Sequence, residues 1–492
     1  MKQRILTIAF GLFAAAGLPL SGQSGFNHAY CKDLWFDFID IVYSNDTLTT
    51  FGIIGIDSLE LWGYLITQYD TVGSEIRRAV VVDTLSHYAG NDEFGLIKTS
   101  DGGFIGFGAA VTQSRPVMIK IGAELNLEWV SEYDHNGFVM IPADVCETDF
   151  HYVLTGHIQQ LDYSRDLFIL IVDKSGNRVV QRYYGLAERD DFGSSLVTAA
   201  NGNAVVGGFF SGQEWIFEID SSGNVVWEWK SGVDEDQVLV DLQRGLNGEW
   251  YYSVTFITSP SPGSYRKTPR LFARDSAFNL LWQNEFAGPT SFHNQFPEIA
   301  VTSDNDVVAV GQIRQLENHP VTGRLGWVTK VSAAGEKMWT VIDTAHTDLG
   351  PRHHHLNGVA LAPSGTIYAA GYTQEYYAPG RICGWILKVT PDGCVDTICF
   401  TTGSNEYHAI SEPTKIYPNP FTSTVTLDLS DVDQGSVFEV TTVTGAPVYR
   451  KEITVPGEQL HADLSHLPAC VLIYTIRDER GNVQSGKLVK VD

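Results

Sequence analysis

The sequence predicts an all-β chain: a seven-bladed β-propeller followed by a small Ig-like β-sandwich. Three observations predict it. Gly, Tyr, Trp and Phe are plentiful, with 47 Gly, 21 Tyr, 11 Trp and 25 Phe in 492 residues, and helix-forming stretches are few, which suits strands joined by tight turns. A unit of short apolar strands and Gly/Asp/Asn turns recurs from about Trp35 to Phe400. Beyond a polar stretch at 401–414, the pattern changes to strands with apolar–polar alternation.

The chain opens with Lys2 and Arg4, the apolar run Ile5 to Leu20, and then Ser21-Gly22-Gln23-Ser24. This is the layout of a secretory signal peptide, assigned to residues 1–23 with cleavage expected near 21–25. The run is rich in Ala and Gly and falls short of the ~20 apolar residues of a membrane span. Cys31 lies too far beyond it for a lipoprotein. Export would bring six cysteines, Cys31, Cys146, Cys383, Cys394, Cys399 and Cys470, into an oxidising compartment. Sequence alone does not choose among the possible pairings. Cys394 with Cys399 is preferred because it closes a short loop. Zinc is disfavoured because no C-x-x-C spacing occurs.

The repeat occupies residues 26–400. Its clearest copy is LVTAANGNAVVGGFFSGQEWIFEIDSSGNVVWEW at 196–229. One anchor per copy, Gly55, Gly108, Gly156, Gly208, Val254, Gly311 and Gly371, gives seven copies spaced 46–60 residues apart. A four-stranded unit repeating every ~40–50 residues indicates a β-propeller. One such sheet cannot cover both its faces, whereas a ring of sheets packed face to face can. Asp101-Gly102, Asn201-Gly202 and Asn247-Gly248 suit turns that need positive φ. Trp129, Trp227, Trp282 and Trp339 close their units and are read as packing between blades.

The units resemble those of secreted repeat proteins built on a DGGYIVAG segment followed by D-x-x-G-N-V-x-W. The resemblance is carried by Asp101-Gly102-Gly103-Phe104, Asp173-Lys174-Ser175-Gly176-Asn177 and Asp220-Ser221-Ser222-Gly223-Asn224-Val225-Val226-Trp227. It implies a fold and no particular reaction.

Lys and Arg number 33 against 58 Asp and Glu, a formal net charge of −25. Such acidity argues against nucleic acid or an anionic membrane surface as partner. In an up-and-down propeller the long loops after each second strand share one face with the blade links. Variable loops on a rigid ring are the expected place for binding. Asp190, Asp191, Asp234, Glu235, Asp236, Tyr265, His353, His355, Tyr376 and Tyr377 are the binding candidates on that face. No cofactor is expected. Asp234-Glu235-Asp236 offers oxygens suited to Ca²⁺ but lacks EF-hand spacing, and reads more simply as a solvated acidic loop. His353-His354-His355 reads as part of a surface loop rather than a metal site, because adjacent side chains on extended chain point to opposite sides. No catalytic residue is assigned. The sequence contains no G-x-S-x-G, H-E-x-x-H, P-loop or sialidase-type Asp box. The terminal tryptophans faintly resemble those of quinoprotein propellers, but the adjacent-cysteine pair of many of those enzymes is missing.

Residues 401–414 read as a linker, and residues 415–492 as a second domain. Its segments are Tyr417-Pro418-Asn419-Pro420-Phe421, then Val443-Thr444-Gly445-Ala446-Pro447-Val448, then Leu467 to Ile476, and last Gly486-Lys487-Leu488-Val489-Lys490. These resemble the type A C-terminal sorting domain of type IX secretion substrates. Cys470 stands where that family usually has Gly, and reads as a possible free thiol. The resemblance implies export through the periplasm and recognition by an outer-membrane translocon. It also implies removal by a sortase-like peptidase, with release or attachment to surface lipopolysaccharide. The alternative is an Ig-like adhesion module.

The expected function is therefore that of a secreted or cell-surface protein with a non-catalytic binding or structural propeller. The alternatives are a propeller enzyme acting on glycans or peptides and, third, a cofactor-binding oxidoreductase. An enzyme should bring two or more acids or histidines together in the central pocket with shifted pKa values. A binding module should show aromatics and scattered polar groups there instead.

Overall fold

The computed structural model describes residues 5–9, 26–31, 36–56, 61–83, 88, 95–110, 114–134, 136–161, 163–186, 189–232, 237–261, 264–286, 294–314, 324–344, 352–375, 382–395, 398–399, 416–429, 435–442, 447–454, 459–477 and 483–491. The chain divides into two compact units, Met1–Gly403 and Ser404–Asp492.

The first unit is a ring of seven antiparallel sheets. Blade 1 consists of Asp40–Ser44, Thr47–Ile56, Leu61–Asp70 and Glu75–Asp83, and blade 2 of Gly95–Lys98, Phe104–Ala110, Arg115–Ile121 and Leu127–Glu132. Blade 3 consists of Met140–Glu147, His151–Gln159, Arg165–Asp173 and Arg178–Tyr184, and blade 4 of Phe192–Thr198, Ala204–Phe210, Gln213–Ile219 and Val225–Lys230. Blade 5 consists of Gln237–Arg244, Trp250–Ser261, Ser264–Arg274 and Leu280–Glu285, and blade 6 of Gln295–Val301, Val307–Arg314, Arg324–Val331 and Lys337–Asp343. Blade 7 has Arg352–Leu361, Ile367–Glu375 and Ile382–Val389. The seven anchor residues all lie on second strands.

Each junction between blades has its own apolar core, and there are seven such cores. The second and third strands are nearly continuous apolar runs because both of their faces are covered. Alternation sends neighbouring residues to opposite junctions. Tyr251 packs toward blade 6, while Tyr252 packs toward blade 4.

Blade 7 borrows its outer strand from the start of the chain. Phe26–Tyr30 pairs antiparallel with Ile382–Val389, in register from Phe26 opposite Lys388 to Tyr30 opposite Gly384. Asn27 Nδ2 donates to Asp343 Oδ2 at 3.0 Å and to the Thr344 carbonyl at 2.9 Å, and Trp385 Nε1 donates to Asn27 Oδ1 at 2.8 Å. A disulfide joins Cys31 to Cys383 across 352 residues. Sequence reasoning left this pairing open because it depends on the ring being closed. Cys394 is also disulfide-bonded and stands directly opposite Cys399 in the ladder. Cys146 and Cys470 are free. Residues Ile5–Ala9, inside the expected signal segment, run beside Ala79–Asp83 of blade 1, whose own four strands are complete without them.

The tryptophans explain the glycines of the tight turns. Trp129 Nε1 donates to the Lys174 carbonyl, Trp282 Nε1 to Ala333 and Trp339 Nε1 to Pro391, at 3.1, 2.9 and 3.0 Å. In each case the acceptor lies two residues before a positive-φ glycine of the next blade: Gly176, Gly335 or Gly393. A Cβ on any of these glycines would come within 2.7–2.8 Å of the indole or a neighbouring side-chain atom. Glycine is needed there for two reasons, its φ and the ring lying flat on it. The Asp of the turn fixes its shape: Asp173 Oδ1 accepts from Ser175 N and Asn177 N, and Asp220 and Asp275 repeat the pattern. In blade 5 the glycine is replaced by Phe278 at φ 64°, and Trp227 and Trp229 pack on its ring. The closing strand makes the same contact on blade 1, where Tyr30 Oη donates to the carbonyl of Gly73 at 2.7 Å.

The second unit is a sandwich of two sheets. Ile416–Tyr417, Thr424–Asp428 and Gln459–Asp463 form one; Pro447–Glu452, Val437–Thr442, Cys470–Arg477 and Val483–Lys490 form the other. Phe421, Val425, Leu427, Phe438, Val440, Leu472 and Leu488 fill the space between them.

Replacing buried Trp339 with Ala should destabilise the ring by about 3–5 kcal/mol, the range for large aromatic truncations. Gly393→Ala should cost more than about 1 kcal/mol through its φ and the indole contact. Denaturant unfolding of the secreted protein reads both. Cys31→Ser, which opens the ring's covalent closure, should cost about 2–5 kcal/mol by the same measurement.

Candidate functional site: the acid-lined central channel

The innermost strands surround a central channel of about 600 Å³. In blades 3 to 7 the pairing of the inner strand is interrupted by a register shift, ending at Asp144, Ser195, Asp241, Glu298 and Gly358. Such bulges re-aim side chains. Asp40 of blade 1, Asp144 of blade 3, Asp241 of blade 5, Glu298 of blade 6 and Asn357 of blade 7 all line the channel.

Each carboxylate ties its blade to the next. Asp40 Oδ1 accepts from its neighbour Ile41 N at 2.6 Å, and Oδ2 accepts from Leu96 N of blade 2 at 2.7 Å. Asp144 does the same with Val145 N and with Leu196 N of blade 4, both at 2.6 Å. Asp241 accepts from Leu242 N at 2.7 Å and from Ile299 N of blade 6 at 2.8 Å, and Ser195 Oγ donates to it at 2.9 Å. Glu298 Oε2 accepts from Val359 N of blade 7 at 2.8 Å. The ring returns to its start at Gly358, where a Cβ would stand 2.7 Å from Asp40 Cα.

Burial disfavours the charged form of all four acids and raises their pKa values. Asp40 is pushed up to about 7 and Asp241 to about 6, while Asp144 and Glu298 are raised well above the carboxylate range. The four also repel one another, against the lowering effect of the backbone N–H donors. Asp40, Asp144 and Glu298 keep some surface on the channel, but that surface lies within the ring, so the burial effect stands. His157 also lines the channel; burial and the nearby Arg165 hold it down at about 4. Asn357 Nδ2 has no hydrogen-bond partner. Among the described residues, no three His, Cys, Asp or Glu side chains come together as metal ligands.

The residues expected on the loop face are not assembled into one site. Asp190 pairs with Arg165 at 3.2 Å at the surface. Asp191, expected on the loop surface, is instead buried, because its oxygens accept from Leu186 N and Ser211 N at 2.8 and 2.6 Å. The three histidines, read as part of a surface loop, open the inner strand of blade 7 instead. His353 Nδ1 accepts from Arg324 N, and His354 packs edge-on to Trp385. His355 is buried and stacked on Tyr372, and burial beside Arg324 lowers its pKa to about 3. Pairing with Ile367–Glu375 claims the segment for strand despite its polar composition. Tyr265 lies in a strand of blade 5. Asp234, Glu235, Asp236, Tyr376 and Tyr377 lie outside the described residues.

The channel acids were missed by sequence reasoning, although a signal exists. Asp144, Ser195, Asp241 and Glu298 each stand four residues before the first residue of the next tight turn: Thr148, Ala199, Gly245 and Thr302. Aligning the repeats on those turns superposes them.

In the second unit, two segments some 70 residues apart are stitched together. Asn419 Nδ2 donates to the Lys487 carbonyl at 2.7 Å, and Val489 N donates to Asn419 Oδ1 at 2.8 Å. Phe421 N donates to the Val489 carbonyl and Val491 N to the Phe421 carbonyl, at 2.9 and 2.8 Å. Phe421 and Leu488 are buried, and Lys490 bonds to the Thr422 carbonyl. The family model of a secretion system C-terminal sorting domain matches residues 415–491. The chain is a type IX secretion substrate. Its sorting domain directs it to the cell surface or the extracellular space. Of the expected sorting residues, Tyr417, Pro418, Asn419, Pro420, Phe421, Lys487, Leu488 and Val489 fall in this clasp. Gly445 lies outside the described residues. Cys470 is a free, half-buried thiol opposite Lys490.

No curated protein matches the chain significantly. Among solved structures, an α-L-arabinanase of Penicillium chrysogenum complexed with arabinobiose is 8% identical, covering 74% of this chain and 98% of its own, with a TM-score of 0.41. Drosophila Plexin A in complex with Semaphorin 1b is 10% identical over 74% of this chain and 86% of its own, at a TM-score of 0.39. A protein of unknown function from Bacteroides caccae is 10% identical over 59% and 90%, at 0.36. Likeness this distant carries no functional argument.

The raised acids set a pH dependence. Below about pH 4 both folded and unfolded chains hold these protons. Between about 4 and 7 the unfolded chain loses them first, so folding stability falls as pH rises through that window. The Tm of the secreted protein should therefore decline from about pH 5 to pH 8. Asp40→Asn should flatten the slope whatever its absolute Tm, and an unchanged slope would show that Asp40 does not titrate there.

Proposed function

We propose that the propeller is a non-catalytic binding or structural module delivered outside the cell by type IX secretion. One observation carries this reading: the convergent channel carboxylates are engaged by backbone N–H groups of their own and the next blade. The expectation set for an enzyme, acids gathered in the central pocket with shifted pKa values, is met in position and in pKa. The oxygens of Asp40, Asp144 and Asp241, however, are committed to holding the ring together, and Glu298 gives one of its two to Val359 N. Repetition of one bonding scheme in blades 1, 3 and 5 is the mark of a fold device, since a catalytic pair needs two groups in different roles. Ligand binding then falls to the variable loops on the rim. The signal segment at 1–23 would take the chain to the periplasm, where the outer-membrane translocon reads the tail. A sortase-like peptidase would cut within residues 401–414, releasing the propeller or attaching it to lipopolysaccharide.

A second reading, hydrolysis of glycans or peptides, is favoured by Glu298. Burial raises its pKa and favours the protonated form that a general acid needs. The mature protein should show glycan or peptide binding on arrays and no turnover of glycoside or peptide substrates. Turnover abolished by Glu298→Gln, with the Tm retained, would replace the binding reading by the enzymatic one.

A further inference from the structure

We propose that the export machinery docks on a composite surface of the sorting domain, formed where its two ends are clasped together, with Tyr417, Pro418, Pro420 and Lys487 as the contacting side chains. This rests on the type IX reading above and goes beyond it, by naming the surface.

The domain must be read by its exporter, and only exposed groups can be read. The residues of the opening and closing segments divide cleanly on this point. Phe421 and Leu488 are spent on the core, and Lys490 is buried with its ammonium on the Thr422 carbonyl. Asn419 is spent on the clasp, since both ends of its amide bond to the Lys487–Val489 backbone. Tyr417, Pro418, Pro420 and Lys487 remain exposed. Gln459 Nε2 donates to Tyr417 Oη at 3.0 Å, which orients the phenol while leaving its ring at the surface.

The clasp places these groups side by side. Phe421 bridges Lys490 in parallel register, so the residues just before Phe421 run alongside those just before Lys490. The Asn419 bond to the Lys487 carbonyl fixes the pair across 68 residues of chain. The result is a tyrosine, two proline rings and an ammonium on two segments clasped side by side, and none of these side chains belongs to the buried core. An aromatic ring held at low entropic cost beside a cation is the composition of an interface anchor. The complementary partner is a protein surface with an apolar recess for Tyr417 and the prolines and a carboxylate for Lys487. The patch exists only in the folded domain, because neither segment contains it alone.

The test uses the full chain in its native host, with surface display and periplasmic retention measured for four forms. Deletion of residues 412–492 tests the sorting reading itself, and surface arrival of that form would overturn both it and the proposal. Tyr417→Ala combined with Lys487→Glu tests the patch. The expected result is a folded, protease-resistant protein retained in the periplasm, with surface protein down about tenfold, as on loss of an interface hot spot. Lys451→Glu, on the exposed strand Pro447–Glu452, makes the same charge change elsewhere on the domain and should be exported normally. If the double variant is degraded, Lys487→Glu alone decides, since only the backbone of Lys487 enters the clasp. Normal export of a patch variant while the deletion is retained would overturn the docking surface and leave the sorting reading standing. Retention of Lys451→Glu to the same degree would also overturn it.

Discussion

Closure of the ring is the constraint on which the rest of the propeller depends. Seven sheets with an apolar core at every junction have no free face, but only if the last blade meets the first. That junction is built from Phe36, Phe38 and Tyr69 on one side and Phe26, Tyr368, Ala370 and Ile386 on the other. The chain completes it by sending its first strand to the outer edge of its last blade. Asn27 anchors this closing strand on its other face, since its amide is shared among Trp385 of blade 7 and Asp343 and the Thr344 carbonyl at the end of blade 6, and the disulfide beside it makes the closure covalent. A buried amide with all its groups occupied specifies register more sharply than apolar contact would. A one-residue slip of Phe26–Tyr30 would remove Asn27 from its partners and turn Phe26 outward.

Neighbouring blades are joined at two radii by opposite kinds of chemistry. At the outer edge, where surface is ample, a tryptophan covers a glycine turn of the next blade. Near the axis the inner strands converge on the channel. There a short acid accepts one N–H from its own strand and one from the next. Where the acid of blade 1 needs space, blade 2 has Gly95, whose missing Cβ would stand 3.2 Å from Asp40 Oδ2. The repeat therefore carries two alignable signatures, one at each radius.

The outer signature was legible in the sequence and the inner one was not, for a physical reason. Trp129, Trp282, Trp339 and the D-x-x-G-N turns are distinctive residue types serving local geometry, so they stand out in one copy and recur in the next. The propeller class, its seven units and the sorting tail follow from patterns of that kind. The channel position is Asp, Ser or Glu depending on the blade, because what it requires is an acceptor at a bulge. A single sequence shows this only after the turns are aligned. The histidines illustrate the opposite error. His353-His354-His355 looks like a polar loop, yet the ring demands an inner strand there, and burial between blades overrides composition. Asp191 was placed on the loop face by its position in a blade link, yet it is buried where two backbone amides call for an acceptor.

The choice of carboxylates for the inner belt has a cost that bears on what the channel can do. An amide side chain offers one acceptor atom, whereas a carboxylate offers two, one for each strand of a junction. That advantage holds for the ionised form, and four ionised acids around one channel repel each other in a poorly solvating space. Burial raises both Asp40 and Asp241, and the nearby Asp241 charge raises Asp40 further. Charge on the other acids adds to the raising of Asp40, Asp144 and Glu298, so a charge on one makes ionisation of its neighbour harder. A group tied to backbone amides of two blades, whose charge is resisted by burial and by its neighbours, is poorly placed to exchange protons with a substrate at every turnover. A general acid at Glu298 would have to release the Val359 amide or act through its other oxygen, and either demand falls on the seam between blades 6 and 7. The acids that line the channel are thus bound into the ring's own construction, in keeping with the proposal that binding falls to the variable loops of the rim.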